Sequence, residues 1–136
     1  MPPHLALSAA ALALALTTQP SAAADRSFGV WRNPKNSVHI RVQPCAGKMC
    51  GVVVWASDKA KADAAKGSPA PLVGASLFRD FHQEQPGLWR GKVFVPDIGK
   101  TFSGTIRVLD PQHIEGRGCL VGTVGCKTQV WTRLPN

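Results

Sequence analysis

The sequence predicts an all-β fold: a small antiparallel up-and-down β-barrel of about eight strands with one loop insertion. Short segments rich in β-branched and aromatic residues run from Phe28 onward, separated by Gly, Pro, Asn and Asp. These separators recur every 8–12 residues or so, a spacing typical of all-β barrels and sandwiches. Most links are short enough for hairpins, so about eight such strands suffice to close a small barrel.

The strands follow one another with little interruption. Val38, Ile40 and Val42 alternate with polar residues, which predicts a half-buried strand, whereas the run MCGVVVW at 49–55 predicts a more continuously buried, central one. Apolar and polar residues also alternate in 88–95 and 102–108, which predicts two further strands. The segment 96–99 between them is predicted to be a hairpin loop with Gly99 in the left-handed position. Two further strands are predicted near 113–119 and 127–134.

One segment departs from the strand pattern. Residues 57–66 read SDKAKADAAK and show no apolar face, and a Pro- and Gly-rich stretch follows them. We expect an insertion at the rim of the barrel in the 56–76 region, formed either by one marginal helical turn and a loop or by a mobile segment.

The first 24 residues carry no charged side chain, although the chain of 136 residues has a formal net charge of +8. The apolar run from Leu5 to Leu16 is too short to span a bilayer of about 30 Å, but it suits a secretory signal peptide. Ala22 and Ala24 fit the small-residue cleavage positions, so we expect cleavage after Ala24 and a periplasmic or secreted protein. An uncleaved helix or membrane anchor is the alternative. Residues 25–136 then form a single domain, because this length excludes a multidomain enzyme.

The four cysteines agree with export. Cys45 and Cys50 have the spacing C-x4-C, and Cys119 and Cys126 the spacing C-x6-C. Three pairings are possible, of which the two local ones are the simplest because each closes a short loop. A zinc site is the competing interpretation, although disulfides are the commoner use of cysteine outside the cytoplasm.

Several motifs recur together in an order that resembles a known family. They are GVWR at 29–32, the pair Cys45 and Cys50-Gly51 running into Val54-Trp55, WRGK at 89–92, the hairpin Pro96-Asp97 to Phe102, and the ending from Gly118-Cys119 to Cys126-KTQVWTR. Their combination resembles the bacterial secreted family named domain of unknown function 2147, over nearly the whole chain after the leader. That family is in turn similar to lipocalin-like barrels.

The resemblance implies how the barrel closes. Lipocalin-like barrels have an early Gly-x-Trp and a late Arg, which match Gly29, Trp31 and Arg133 here. The resemblance implies that Trp31 plugs one end and that Arg133 from the last strand lies across it, in a cation–π contact that joins first strand to last.

Catalytic signals are sparse, and we expect neither an enzyme nor a cofactor. His82-x-Glu84 and His113-x-Glu115 each place an imidazole and a carboxylate on one face of a strand, with Asp80 close by. If the two strands were neighbours, these groups would suit a divalent metal and a metal-dependent hydrolase. Outward polar positions on barrel strands are the stronger interpretation.

A binding module is the favoured function. We expect a small cavity between Trp89, Phe94, Phe102 and Ile106 that takes an apolar or amphipathic ligand. The other tryptophans, Trp31, Trp55 and Trp131, are expected in the core.

The basic balance supports an alternative function. Lys and Arg total 16 against 8 Asp and Glu, and they are spread through the chain rather than clustered. Such a surface attracts anions at long range, so a monomer docking on an anionic envelope component or protein partner is the second hypothesis. A nucleic-acid partner is not expected outside the cytoplasm.

Overall fold

The computed structural model describes residues 2–3, 10–16 and 24–135. The expected leader therefore falls largely outside the described residues, and its residues 10–16 form neither helix nor strand. No helix within the described ranges is long and apolar enough to cross a membrane.

Eight antiparallel strands close into a barrel in simple sequence order, as the sequence predicts. Their bounds are β1 Gly29–Arg32, β2 Val38–Cys45, β3 Lys48–Ala56, β4 Ser76–Gln85, β5 Leu88–Val95, β6 Lys100–Asp110, β7 His113–Val121 and β8 Val124–Arg133. One helix, α1 Asp58–Ala65, lies between β3 and β4, and short 3-10 turns occupy Ala24–Ser27 and Pro96–Ile98. Gly99 closes the second turn with φ of 62°, the left-handed conformation expected from the sequence.

Because consecutive strands run in opposite directions, their connections alternate between the two ends of the barrel. We call one of them the tip end, and it contains the connections 33–37, 57–75, 96–99 and 122–123. The opposite end contains the connections 46–47, 86–87 and 111–112 together with the 3-10 turn before β1.

The insertion at 57–75 is more ordered than its sequence suggests. Ser57 caps α1, since its hydroxyl oxygen accepts a hydrogen bond of 3.1 Å from the backbone N–H of Ala60. Ala64 is buried, and Ala60 and Leu72 also pack against the barrel core. The expectation of a marginal turn without an apolar face was wrong, because two alanines one helical turn apart are enough to pack a short helix on a barrel.

The core lies along the barrel axis towards the opposite end. Five inward side chains retain no accessible surface: Trp31, Ile40, Met49, Phe81 and Ile106. Because these side chains have no accessible surface, this part of the interior is closed to solvent.

Trp55 is not part of that core. Its side chain is 44% exposed and stacks on His39, with 4.4 Å between the ring centroids. The register of β2 on β3 shifts between His39 and Ile40, and beyond that irregularity Trp55 stands opposite His39 on the outer face. The core placement expected for Trp31 and Trp131 agrees with their burial, whereas the one for Trp55 was wrong.

Two disulfides fix hairpins at opposite ends of the barrel. Cys45–Cys50 spans the β2–β3 turn, and Cys119–Cys126 joins directly opposed residues of β7 and β8. The structure therefore contains the two local pairings, and no free cysteine remains.

Candidate binding site

The predicted ligand residues do not share one face. Ile106 is buried inside the barrel, and Trp89 pairs with it. Phe102 lies four residues before Ile106 on the same strand, so it points to the same inner face. Phe94 follows Val93, the residue that pairs with Phe102, and therefore points outward. There it lies under the guanidinium of Arg79, whose Cζ is 4.3 Å from the ring centroid. Including Phe94 in an internal cavity was wrong, because side chains alternate along a strand.

Ile106 and Trp89 lie in the filled part of the barrel. Ile106 has no accessible surface and Trp89 is 7% exposed. The indole N–H of Trp89 has no hydrogen-bond partner among the described residues, which makes it a free donor inside the barrel.

Inward positions on neighbouring strands form transverse rows that show where the interior opens. One row contains Gly91 of β5, Gly104 of β6, Gly118 of β7 and Lys127 of β8. The next row towards the opposite end contains Trp89, Ile106, Gly116 and Gln129.

The glycines of the first row meet very different surroundings. A Cβ added at Gly91 would lie 2.7 Å from the Phe81 ring, and one added at Gly104 would lie 2.6 Å from Val93. A Cβ added at Gly118 would meet nothing within 4 Å. The barrel is thus filled beside β5 and β6 but open beside β7.

We call the open region the glycine cleft and define it by Phe102, Gly116, Gly118, Lys127 and Gln129. Gly116 is nearly as free as Gly118, because a Cβ there would approach only the Gln129 carbonyl oxygen, at 4.0 Å. Lys127 and Gln129 are exposed and Phe102 is half-buried. No carboxylate among the described side chains forms an ion pair with the Lys127 ammonium.

The cleft is open along one side because the barrel seam is short. Strand β8 pairs with β1 only through Thr132 and Arg133. No described strand covers the other edge of β8 from Val124 to Trp131, so the inner face of β7 and β8 is reached from solvent there.

Arg133 holds the seam together at the opposite end. Its guanidinium lies over Trp31, with Cζ 4.2 Å from the ring centroid. It also donates hydrogen bonds to the carbonyl oxygens of Pro111 and Phe28, each at 2.7 Å, and to that of Arg26. Burial lowers the pKa of Arg133, but an arginine stays charged at neutral pH. Gly29 lies beside it with φ of 136°, a conformation that side chains rarely allow, and a Cβ there would also meet the Arg133 guanidinium.

Two further cavities lie outside the barrel, along the insertion. One of about 380 Å³ is lined by Arg79, Phe94, Pro96 and residues of the 68–75 segment. The other, of about 420 Å³, is lined by Lys61, Ala65 and residues of the 68–73 segment. Phe94 therefore belongs to an external groove rather than to the interior.

The four residues proposed as weak metal ligands are not brought together. His82 and Glu84 lie on β4, and His113 and Glu115 lie on β7, with β5 and β6 between the two strands. The condition for a shared site, neighbouring strands, is not met. No cluster of three His, Cys, Asp or Glu side chains suited to a metal occurs among the described residues.

The same polar groups are engaged in local contacts on the surface. Arg90 donates a hydrogen bond of 2.5 Å to Glu84 and thereby lowers the pKa of that carboxyl group. The Asp110 carboxylate accepts hydrogen bonds from the backbone N–H of Gln112 and from His113, and both lower its pKa. Glu84 and His113 are thus each engaged in a local contact between neighbouring strands on the surface.

The pKa of His39 is lowered, first by burial and then by the positive charge of Arg32. Its Nε2 lies 2.7 Å from Asn36 Oδ1, and its ring stacks on Trp55. His39 is therefore neutral at neutral pH, and it lies on the outer face of the barrel, away from the glycine cleft.

Sequence reasoning missed the open glycines and Lys127. The sequence did contain a signal, Gly116-Arg117-Gly118 within a predicted strand. Two glycines two residues apart leave one face of a strand without side chains. The face that Lys127 takes follows only from its pairing with Gly118.

Comparison with protein-family models places residues 29–133 in the family described as uncharacterized protein conserved in bacteria (DUF2147). The chain belongs to this family. The DUF2147 match spans the whole barrel, from the first residue of β1 to the last residue of β8. Comparison with curated proteins finds no match.

A solved structure supports the barrel assignment. Protein HP1028 from the human pathogen Helicobacter pylori, described as belonging to the lipocalin family, is similar with a TM-score of 0.64 and 20% identity. The match covers 80% of this chain and 83% of HP1028. At this identity the similarity establishes a lipocalin-like fold for this member of DUF2147.

Proposed function

We propose that this DUF2147 protein is a non-catalytic binding module that holds a small amphipathic molecule with an anionic group in the glycine cleft. The observation that supports this proposal most directly is the open space beside Gly118, in a barrel that is filled around Gly91 and Gly104. A lipocalin-like barrel of eight strands is wide enough to hold one small ligand, which agrees with this proposal.

The chemistry of the cleft indicates the class of ligand. Glycine allows a ligand to approach the backbone of β7 closely, and Phe102 supplies an apolar wall. Lys127 supplies an ammonium that no described carboxylate neutralises. An apolar chain against Gly116 and Gly118, with a carboxylate or phosphate at Lys127, satisfies both surfaces.

The proposal includes an exported location. Two disulfides favour an oxidising compartment such as the periplasm or the extracellular space. An uncharged apolar leader with cleavage after Ala24 is the expected route. Intact mass measurement of protein purified from bacterial cells tests this part, since the exported form should begin at Asp25.

Titration with dansyl-labelled undecanoic acid, followed by fluorescence, tests ligand binding. Gly118→Val places a side chain in the cleft at a position where a Cβ meets nothing within 4 Å, and we expect it to weaken probe binding by about tenfold or more while the unfolding midpoint is kept. Lys127→Gln should weaken binding of the acid but leave binding of its methyl ester unchanged.

Lys92→Gln is the matched control, because it removes the same charge from the outer face, where Lys92 contacts Ser103. It should bind the acid as the wild type does. Wild-type protein that binds neither probe, or a Gly118→Val variant with unchanged affinity, contradicts the proposed site.

A further inference from the structure

The β7–β8 hairpin ends in an exposed apolar tip. Leu120, Val121 and Val124 are 66%, 75% and 71% exposed, although each is a large aliphatic residue. We call these three residues the hairpin tip. Val121 and Val124 pair on the outer face, whereas Leu120 lies beside Gly125 on the inner face, so the end of the hairpin is apolar on both sides. Single exposed aliphatic residues are ordinary, but three at one hairpin end mark an interaction surface.

The hairpin tip is held in this exposed arrangement. Val121 pairs with Val124 across the Gly122-Thr123 turn, and the Cys119–Cys126 disulfide closes the hairpin directly behind them. The tip therefore cannot fold back to bury its aliphatic side chains without breaking this pairing.

Further apolar and basic groups share the tip end of the barrel. Ile98, in the β5–β6 connection, is 55% exposed, and Val73 in the insertion is also exposed. Lysines at this end include Lys61, Lys100 and Lys127. From Gly116 to the end of the sequence no Asp or Glu occurs, so Arg117 and Lys127 flank the hairpin tip without a neighbouring opposite charge in that segment.

We propose that the tip end docks on the surface of an anionic lipid bilayer, with the hairpin tip inserted at the level of the headgroups. A protein partner would need a contact of roughly 800 Å² on each side, which a two-residue turn with three side chains does not offer. A bilayer adapts to a narrow projecting tip, and its binding combines burial of apolar side chains with attraction of Lys and Arg to anionic headgroups.

This inference goes beyond the proposed ligand binding and is connected to it by geometry. Gly118 and Lys127 lie immediately behind Cys119 and Cys126, so the glycine cleft opens next to the hairpin tip. Docking at this end would bring the cleft to the bilayer surface, where amphipathic molecules reside.

Vesicle co-sedimentation tests the docking. The purified protein is mixed with vesicles of equal parts phosphatidylglycerol and phosphatidylcholine, or with pure phosphatidylcholine vesicles, at low and high salt. We expect binding to the anionic vesicles only, weakened by high salt. The double variant Val121→Ser, Val124→Ser should bind about tenfold or more weakly, because its apolar contacts are lost while its charge is unchanged.

The double variant Leu109→Ser, Val130→Ser is the control, since it removes two exposed aliphatic residues away from the tip and should bind as the wild type does. Equal sedimentation with both kinds of vesicle, none with either, or unchanged binding of the tip variant would overturn the docking. Gly118→Val separates the two proposals: it should lose the dansyl probe yet keep vesicle binding, and the tip variant should do the reverse.

Discussion

At the scale of single residues, glycine has two opposite roles on the inner face of this barrel. Gly91 and Gly104 are required because Phe81 and Val93 occupy the space that a side chain would need. Gly118 lies in the same row but adjoins open space. The identity of the residue is the same, and only its neighbours decide whether it serves packing or access.

This difference predicts opposite responses to alanine. At Gly104 the new Cβ would also lie 2.8 Å from the backbone oxygen of Arg117, so Gly104→Ala should lower the free energy of unfolding by about 1–3 kcal/mol. Gly118→Ala should change it by less than about 0.5 kcal/mol. Urea unfolding of both variants measures the difference, and equal destabilisation would mean that the space beside Gly118 is closed in solution.

At the scale of elements, the sequence predicts strands better than it predicts their surroundings. Alternation correctly predicts the face of Val38, Ile40 and Val42, because one buried face imposes a period of two. The core placement expected for Trp55 fails because a register irregularity intervenes, and the expectation for α1 fails because its packing depends on the barrel beneath it. The candidate site was predictable only in part: Phe102 was proposed from the sequence and stays a prediction, whereas the cleft depends on which glycines have filled neighbours.

The β7–β8 hairpin allows a prediction about its disulfide. Replacing Cys119 and Cys126 by Ser should lower the free energy of unfolding by about 2 kcal/mol, the chain-entropy value for so short a loop. It should also weaken binding to phosphatidylglycerol vesicles, because the end of the hairpin frays and the tip loses its fixed arrangement. Urea unfolding and vesicle co-sedimentation measure the two effects.

The matched control is the other disulfide. Replacing Cys45 and Cys50 by Ser removes a loop of similar length at the opposite end, so it should cost similar stability and leave vesicle binding intact. Equal loss of vesicle binding in both double variants would show that global stability, rather than the hairpin tip, controls docking.

At the scale of the whole molecule, closure of the barrel depends on a short seam. Two residue pairs join β1 to β8, whereas eight join β5 to β6. The leading segment, the first strand, the β6–β7 turn and the last strand all meet at Arg133, through the carbonyl groups of Arg26, Phe28 and Pro111 and the ring of Trp31. A short seam leaves the edge of β8 free and opens the glycine cleft, so one residue must compensate for the missing strand pairing.

Arg133→Lys should therefore be costly although it keeps the charge. An ammonium cannot reproduce the fork of donors that reaches three carbonyl oxygens, and hydrogen bonds from a charged group are each worth about 1.5–3 kcal/mol, so we expect a loss of about 3 kcal/mol in unfolding free energy. Hydrogen exchange should also accelerate at the amide of Leu134, which donates to the Val30 carbonyl oxygen across the seam, before it does in β5 and β6, because the seam opens first. Arg107→Lys, on the exposed outer face of β6, is the control and should change neither quantity. If the two variants proved equally stable, strand pairing alone would close the barrel and the seam would not depend on Arg133.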